Sequence, residues 1–194
     1  MQSHEMLTVR DELSKYWHGQ TSVWIKLPHC GFLTGDRYSA FCVAKDWLQD
    51  TGEALLVHRR QGFSPDPHQG NIEFWGILQA TFVQQDALAE LHYAVTGCKV
   101  KTLGGPAWKT MRDLRNLAVG HPTRKDRPTP QLLRCVAGRQ TMSYDSISVM
   151  IEIDGTRSHT TINLGQRLDE YDGEAAAILR DLFAQLRTLV PSAP

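Results

Sequence analysis

Apolar residues recur every three or four positions along four long stretches of the chain, which is the spacing of one face of an α-helix. These stretches predict helices over residues 3–18, 36–60, 69–95 and 166–189. The third stretch carries the longest apolar stripe. Its members are Phe74, Ile77, Leu78, Thr81, Leu88, Leu91 and Val95.

The pattern changes to period two near residue 146, as expected for a β-strand with one apolar face. Asp154-Gly155 separates this run from a second extended run. Such a pair favours a tight hairpin, because both turn positions take a positive φ. We therefore predict a β-hairpin over residues 146–164. The alternating apolar positions are Ile147, Val149, Ile151 and Ile153.

Shorter elements lie between these stretches. Residues 107–119 predict a short basic helix, which Gly104-Gly105-Pro106 precedes and Gly120-His121-Pro122 ends. Residues 23–27 predict an extended piece, and residues 123–130 a polar loop with prolines. The expected fold is mainly α: a bundle of four to five helices with an added β-hairpin. The 194 residues fit one domain, 1–194.

Several functional classes find no support in the sequence. No stretch is apolar enough to span a membrane, and the first residues lack the plan of a signal peptide, so we expect a cytoplasmic protein. No nucleotide-binding or zinc-protease motif is present. We expect neither a cofactor nor a metal, since the four cysteines are far apart and form no C-x-x-C pair.

The net charge is zero, but the charges are unevenly distributed. Residues 99–139 contain ten basic and two acidic residues, so this window carries +8 and the rest of the chain −8. Such asymmetry indicates either a surface for an anionic partner, typically nucleic acid, or a solvated basic loop. Charge alone leaves both interpretations open.

The most basic region also contains Arg115, Asn116 and His121 close together. On a regular helix, the step of six positions from Arg115 to His121 would leave their side chains about 120° apart. The two converge only if the helix ends or distorts before His121. Gly120 and Pro122 favour that distortion, because glycine permits unusual φ and proline restricts the residue before it.

An arginine and a histidine in a basic region suit the cleavage of RNA, which carries its own nucleophile in the 2′-OH. Imidazole can accept that proton near neutral pH, and guanidinium forms a fork that matches phosphate oxygens. Asn116 would orient the phosphate or hold the kink. In the alternative interpretation, the Gly-His-Pro segment is only a helix stop, Arg115 an ion-pair partner and Asn116 a cap.

Arg115-Asn116 followed by His121 resembles the R-x(4–6)-H motif of the HEPN superfamily. The segment from Phe74 to Ala87 also resembles a helix that precedes this motif in some bacterial HEPN-like proteins. Together the two resemblances cover roughly residues 68–124. They imply a helical bundle that forms a homodimer, in which Arg115 and His121, with Asn116 beside them, line a cleft at the dimer axis.

In function, the resemblance implies a metal-independent endoribonuclease acting on RNA, often a toxin or a phage-defence effector held inactive by an antitoxin or another protein partner. Other members bind nucleotides, RNA or proteins without cleaving anything, and that regulatory role is the alternative. The hairpin lies outside the minimal HEPN bundle. From charge alone, we suggest phosphate contacts for Arg112, Arg124, Lys125 and Arg127.

Overall fold

A computed structural model describes residues 4–19, 35–100, 103–120, 123–125, 132–138 and 141–189, with the backbone alone at 17–19, 123–125 and 132–133. The fold is mainly helical, as predicted, and it contains a small antiparallel sheet. The α-helices of the described residues are α1 (Glu5–Gly19), α2 (Gly35–Gln61), α3 (Pro67–Thr96), α4 (Pro106–Arg115) and α5 (Leu164–Leu189). A π-helical turn, Asn116–Gly120, continues α4.

Helix α3 begins and ends at residues suited to those positions. The Asp66 carboxylate accepts hydrogen bonds from the backbone N–H groups of His68 and Gln69, at 2.8 and 3.0 Å, and so caps the first turn. Gly97 follows the last turn with a φ of 76°, which a glycine adopts without a steric penalty. All seven members of the predicted apolar stripe of this helix are buried.

The predicted hairpin is confirmed and belongs to a larger sheet. Its strands are β3 (Ile147–Ile153) and β4 (Thr156–Ile162), joined by Asp154 and Gly155 at φ 49° and 84°. Strand β2 (Leu132–Ala137) pairs with β3, and β1 (Thr123–Lys125) pairs with β2. The described strands thus have the order β1-β2-β3-β4, all antiparallel.

One segment predicted as a loop is a strand in the structure. Thr123–Lys125, predicted as part of a loop, is a strand, because its backbone finds a partner in β2 that the local sequence does not reveal. The extended piece predicted at 23–27 lies outside the described residues. None of the described helices is long and apolar enough to cross a membrane.

The chain divides into two compact units, each assembled from separate segments. The first unit comprises residues 1–53, 83–105 and 172–194, and Phe41, Leu48, Leu88 and Leu91 are among its buried residues. The second unit comprises residues 54–82 and 106–171, and its core includes Phe74, Leu78, Trp108, Met111, Ile147 and Val149.

The uneven charge seen in the sequence follows this division. The second unit contains 12 basic and 9 acidic residues, a net charge of +3, and the first unit carries the balancing −3. Arg112, Arg115 and the whole sheet belong to the second, basic unit. Most of the basic window predicted from the sequence therefore lies in one compact unit.

Candidate functional site

Helix α4 is amphipathic, and its apolar face is in the core. Trp108, Met111 and Leu114 are buried at spacings of three residues, so that Arg112 and Arg115 come off another side of the helix. Pro106 is the first helical residue, where its missing N–H costs no hydrogen bond. Core packing on one face of α4 thus fixes where its two arginines emerge.

The helix distorts immediately after Arg115. Residues Asn116–Gly120 form a π turn, in which hydrogen bonds close over five residues instead of four. The distortion predicted before His121 is therefore confirmed, although it begins four residues before Gly120. The angular separation of the Arg115 and His121 side chains expected on a regular helix does not apply across this turn. Short π segments are frequent at functional sites.

The Arg115 guanidinium is held by two neutral amides. Its Nε and one terminal nitrogen both donate to Oε1 of Gln79, each at 3.1 Å. The other terminal nitrogen donates to Oδ1 of Asn116 at 3.2 Å. Neither partner carries a charge, so these bonds orient the cation without neutralising it. Among the residues that the structure describes, Arg115 thus has neutral partners and not the ion pair of the alternative interpretation.

An aromatic ring supports both arginines. The Arg115 guanidinium carbon lies 4.2 Å from the centre of the Phe82 ring, and that of Arg112 lies 4.3 Å from it. Both distances fall within the range of cation–π attraction. Gln79 and Phe82 are one turn apart on α3, so a single helix supplies the amide and the ring. Two cations thus converge on one side chain of the second unit.

Gly120 completes the setting of Arg115. A Cβ built at Gly120 would lie 2.6 Å from the terminal nitrogen of Arg115 that bonds Asn116. The guanidinium therefore occupies the space that a side chain at position 120 would need. The glycine predicted as a helix stop is also required for close approach of this arginine.

The structure brings together three of the residues singled out from the sequence: Arg112, Arg115 and Asn116. His121 and Arg127 lie outside the described residues. Arg124 and Lys125 are described by their backbone, which forms part of β1. The pairing of Arg115 with His121 stays a prediction, as do phosphate contacts by the three basic residues after it.

Sequence reasoning missed Gln79 and Phe82 as members of the site. Gln79 is 36 residues from Arg115, and no local pattern connects a helical glutamine to a distant arginine. Phe82 is an ordinary apolar residue in the sequence. In the structure the Phe82 side chain is half-buried, more exposed than the core residues. Its position under two arginines depends on the tertiary structure, so the sequence does not reveal it.

Among the residues that the structure describes, no group of three or more His, Cys, Asp or Glu is arranged to hold a metal ion. Comparison with protein-family models, with curated proteins and with solved structures finds no match to this chain.

Proposed function

We propose that the chain is a metal-independent endoribonuclease of the HEPN type, with Arg115 and His121 as its catalytic pair. The observation that carries the proposal is the setting of Arg115. Its guanidinium is fixed by Gln79, Asn116 and Phe82, yet both hydrogen-bond partners are uncharged. A positioned arginine that keeps its charge is suited to an anionic group such as a phosphodiester.

The proposed reaction is transesterification within RNA. His121 accepts the proton of the 2′-OH, the 2′ oxygen attacks phosphorus, and the bond from phosphorus to the 5′ oxygen breaks. The leaving 5′ oxygen takes up a proton. The products are a 2′,3′-cyclic phosphate and a 5′-OH. Arg115 holds the phosphate oxygens as charge shifts onto them, and Asn116 positions the Arg115 guanidinium.

A second candidate function is a module that binds RNA, a nucleotide or a protein without cleavage. The same contacts favour it in one respect: Nε and both terminal nitrogens of Arg115 already have an acceptor. With these contacts Arg115 also joins the π turn to α3. In that role Arg115 stabilises the fold, and the protein binds its ligand without cleaving RNA.

The two candidates differ in the products formed from RNA. Purified protein is incubated with single-stranded RNA, with and without EDTA, and product ends are determined. We expect cleavage that EDTA leaves unchanged, with cyclic phosphate ends, and no cleavage of the matching DNA, which lacks the 2′-OH. Arg115→Ala and His121→Ala should each remove most activity.

The control variant is Arg180→Ala, because Arg180 is an exposed arginine of the other unit that pairs with Glu5. It should cut RNA at the wild-type rate. If the wild type cuts no RNA, or if His121→Ala cuts as well as the wild type, the binding role replaces the nuclease. Circular dichroism of each variant separates loss of activity from loss of fold.

Two partner expectations accompany the proposed activity. A homodimer would place two copies of Arg115 and His121 at one axis, which doubles a sparse site. Sedimentation that detects only monomer at micromolar concentration argues against a shared cleft. As a toxin or phage-defence effector, the protein should slow growth when expressed alone, and an antitoxin or other inhibitory partner should relieve that effect.

A further inference from the structure

Three charged side chains form a row across the sheet of the second unit. Arg134 on β2 is paired in register with Glu152 on β3, and Glu152 is paired with Arg157 on β4. The Nε of Arg157 donates to Oε2 of Glu152 at 2.7 Å, and a terminal nitrogen of Arg134 donates to Oε1. We refer to these three residues as the Arg-Glu-Arg row.

The carboxylate at the centre of the row is enclosed, whereas the cations on either side are open. The Glu152 side chain is 7% exposed, against 46% for Arg134 and 69% for Arg157. The two guanidiniums hold the pKa of Glu152 below its ordinary value, with Arg157 the larger influence. Glu152 is therefore ionised at neutral pH, and the row has a net charge of +1.

Each arginine of the row uses one nitrogen for Glu152 and has others to spare. In the described part of the chain, both terminal nitrogens of Arg157 lack a hydrogen-bond partner, as do Nε and one terminal nitrogen of Arg134. A carboxylate between two arginines orients both guanidinium groups and neutralises one of their two positive charges. A guanidinium with unused donors matches the oxygens of a phosphate.

One end of the row, Arg134, lies on the strand that packs against the π turn after Arg115. Strand β2 contacts the π turn Asn116–Gly120, and all of these elements belong to the basic second unit. Two positions further along the strands, the pairing brings Val136, Met150 and His159 side by side, and Val136 is 55% exposed. Because strand residues two apart share a face, this second set adjoins the row.

We propose that the Arg-Glu-Arg row is a binding subsite for the phosphate backbone of single-stranded RNA, beside the proposed cleavage site at Arg115. The inference rests on the proposed function for the identity of the polymer. Arg134 and Arg157 lie on the strands at either side of β3, and their guanidiniums bond opposite oxygens of the Glu152 carboxylate. Two cations oriented in this way contact neighbouring phosphates of one chain, and the adjoining residues Val136, Met150 and His159 offer apolar atoms and an imidazole to the bases.

The test measures binding without cleavage. The probe is a fluorescent 2′-O-methyl RNA, which lacks the nucleophilic hydroxyl and survives whether or not the protein is a nuclease. Anisotropy titrations at several salt concentrations give affinity and its salt dependence. In the triple variant R134Q/E152Q/R157Q, the net positive charge disappears while no buried carboxylate loses its partners.

We expect the triple variant to bind more weakly, and the slope of log affinity against log salt to fall by about 1.4 for two lost phosphate contacts. Arg157→Gln alone, which leaves Glu152 paired with Arg134, should lower the slope by about 0.7. The control is Arg180→Gln, since Arg180 also pairs with a carboxylate and is 47% exposed. It should bind as the wild type does.

The inference would be overturned if folded Arg157→Gln bound RNA with the affinity and the salt slope of the wild type. It would also be overturned if the wild type bound no 2′-O-methyl RNA. The proposed function is judged separately by cleavage of ordinary RNA. If the wild type binds RNA through the row but cuts no RNA, the subsite is supported and the nuclease activity is refuted. If the wild type cuts RNA but the triple variant binds RNA as well as the wild type does, only the subsite is refuted.

Discussion

The guanidinium of Arg115 lies where a side chain of Gly120 would begin, with a terminal nitrogen 2.6 Å from the position of a Cβ at residue 120. The two residues are five apart, which is the span that a π turn closes. The arginine tip is also held by Gln79, Asn116 and Phe82. A Cβ at residue 120 would therefore shift the flexible arginine tip and disturb these contacts.

Gly120→Ala should displace the Arg115 guanidinium and leave the fold intact. We expect RNA cleavage to fall by about tenfold or more, the equivalent of one hydrogen bond to a charged group. Unfolding in urea measures stability, and initial rates on single-stranded RNA measure activity. The expected pattern is a large loss of rate with a small change in the unfolding midpoint.

The matched control is Gly76→Ala, in α3 of the same unit. A Cβ there meets no atom within 4 Å, so the substitution should raise the unfolding free energy by about 0.5–1 kcal/mol, as alanine does over glycine inside a helix. RNA cleavage should stay at the wild-type rate. Equal activity in Gly120→Ala and Gly76→Ala would refute the positioning role assigned to the glycine.

Gln79→Glu tests whether it matters that Gln79, a partner of the Arg115 guanidinium, is neutral. The new carboxylate keeps the acceptor for Nε and the terminal nitrogen, and it adds an ion pair that neutralises the guanidinium. We expect the fold to be at least as stable and cleavage to fall by about tenfold or more. Gln185→Glu, an exposed site on α5, introduces the same charge elsewhere and should leave the rate unchanged.

The long helices were predictable because their apolar stripes repeat over several turns. The hairpin was predictable because Asp154-Gly155 determines its turn locally. Strands β1 and β2 were not, since they lack a regular alternation and their partners are distant: Cys135 pairs with Ile151. A strand whose stability depends on such pairing leaves little trace in its own sequence.

The candidate site shows the same division. The arginine, asparagine and glycine of the motif are close in the sequence, and Gly120 and Pro122 predict a distortion there, although not that it begins at Asn116. Gln79 is joined to Arg115 by tertiary structure alone. The row across the sheet was equally hidden, because period two places Glu152 on the polar face but does not reveal that Arg134 and Arg157 enclose it.

Glu152 should make the protein sensitive to acid. Its pKa is depressed in the folded state by Arg157 and Arg134, so its contribution to stability is present above its ordinary pKa of about 4.5 and is lost as the pH falls through the lower folded value. The difference in unfolding free energy between wild type and Glu152→Gln should therefore be largest near neutral pH. It should shrink below about pH 4.5. A difference that is constant with pH would contradict the assigned ion pairs.

Tyr144 should contribute to stability at neutral pH and lose that contribution in alkali. Its hydroxyl and Nδ1 of His58 are 2.6 Å apart and share a hydrogen bond within the second unit. Burial raises the pKa of Tyr144 well above its ordinary value of 10.0, because the phenolate would be poorly solvated there. A raised folded pKa means that the contribution is complete below the unfolded pKa and disappears as the pH rises through the folded one.

Tyr144→Phe removes the hydroxyl and should lower the unfolding free energy by about 1 kcal/mol near neutral pH. The difference from the wild type, measured by urea unfolding at rising pH, should narrow above about pH 10. Tyr93→Phe is the control, because the Tyr93 hydroxyl also has a 2.6 Å hydrogen bond, to Asp36, but on an exposed surface. Tyr93→Phe should lower the unfolding free energy by less than Tyr144→Phe does. If Tyr144→Phe were as stable as the wild type at every pH, the His58–Tyr144 hydrogen bond would contribute nothing to the second unit.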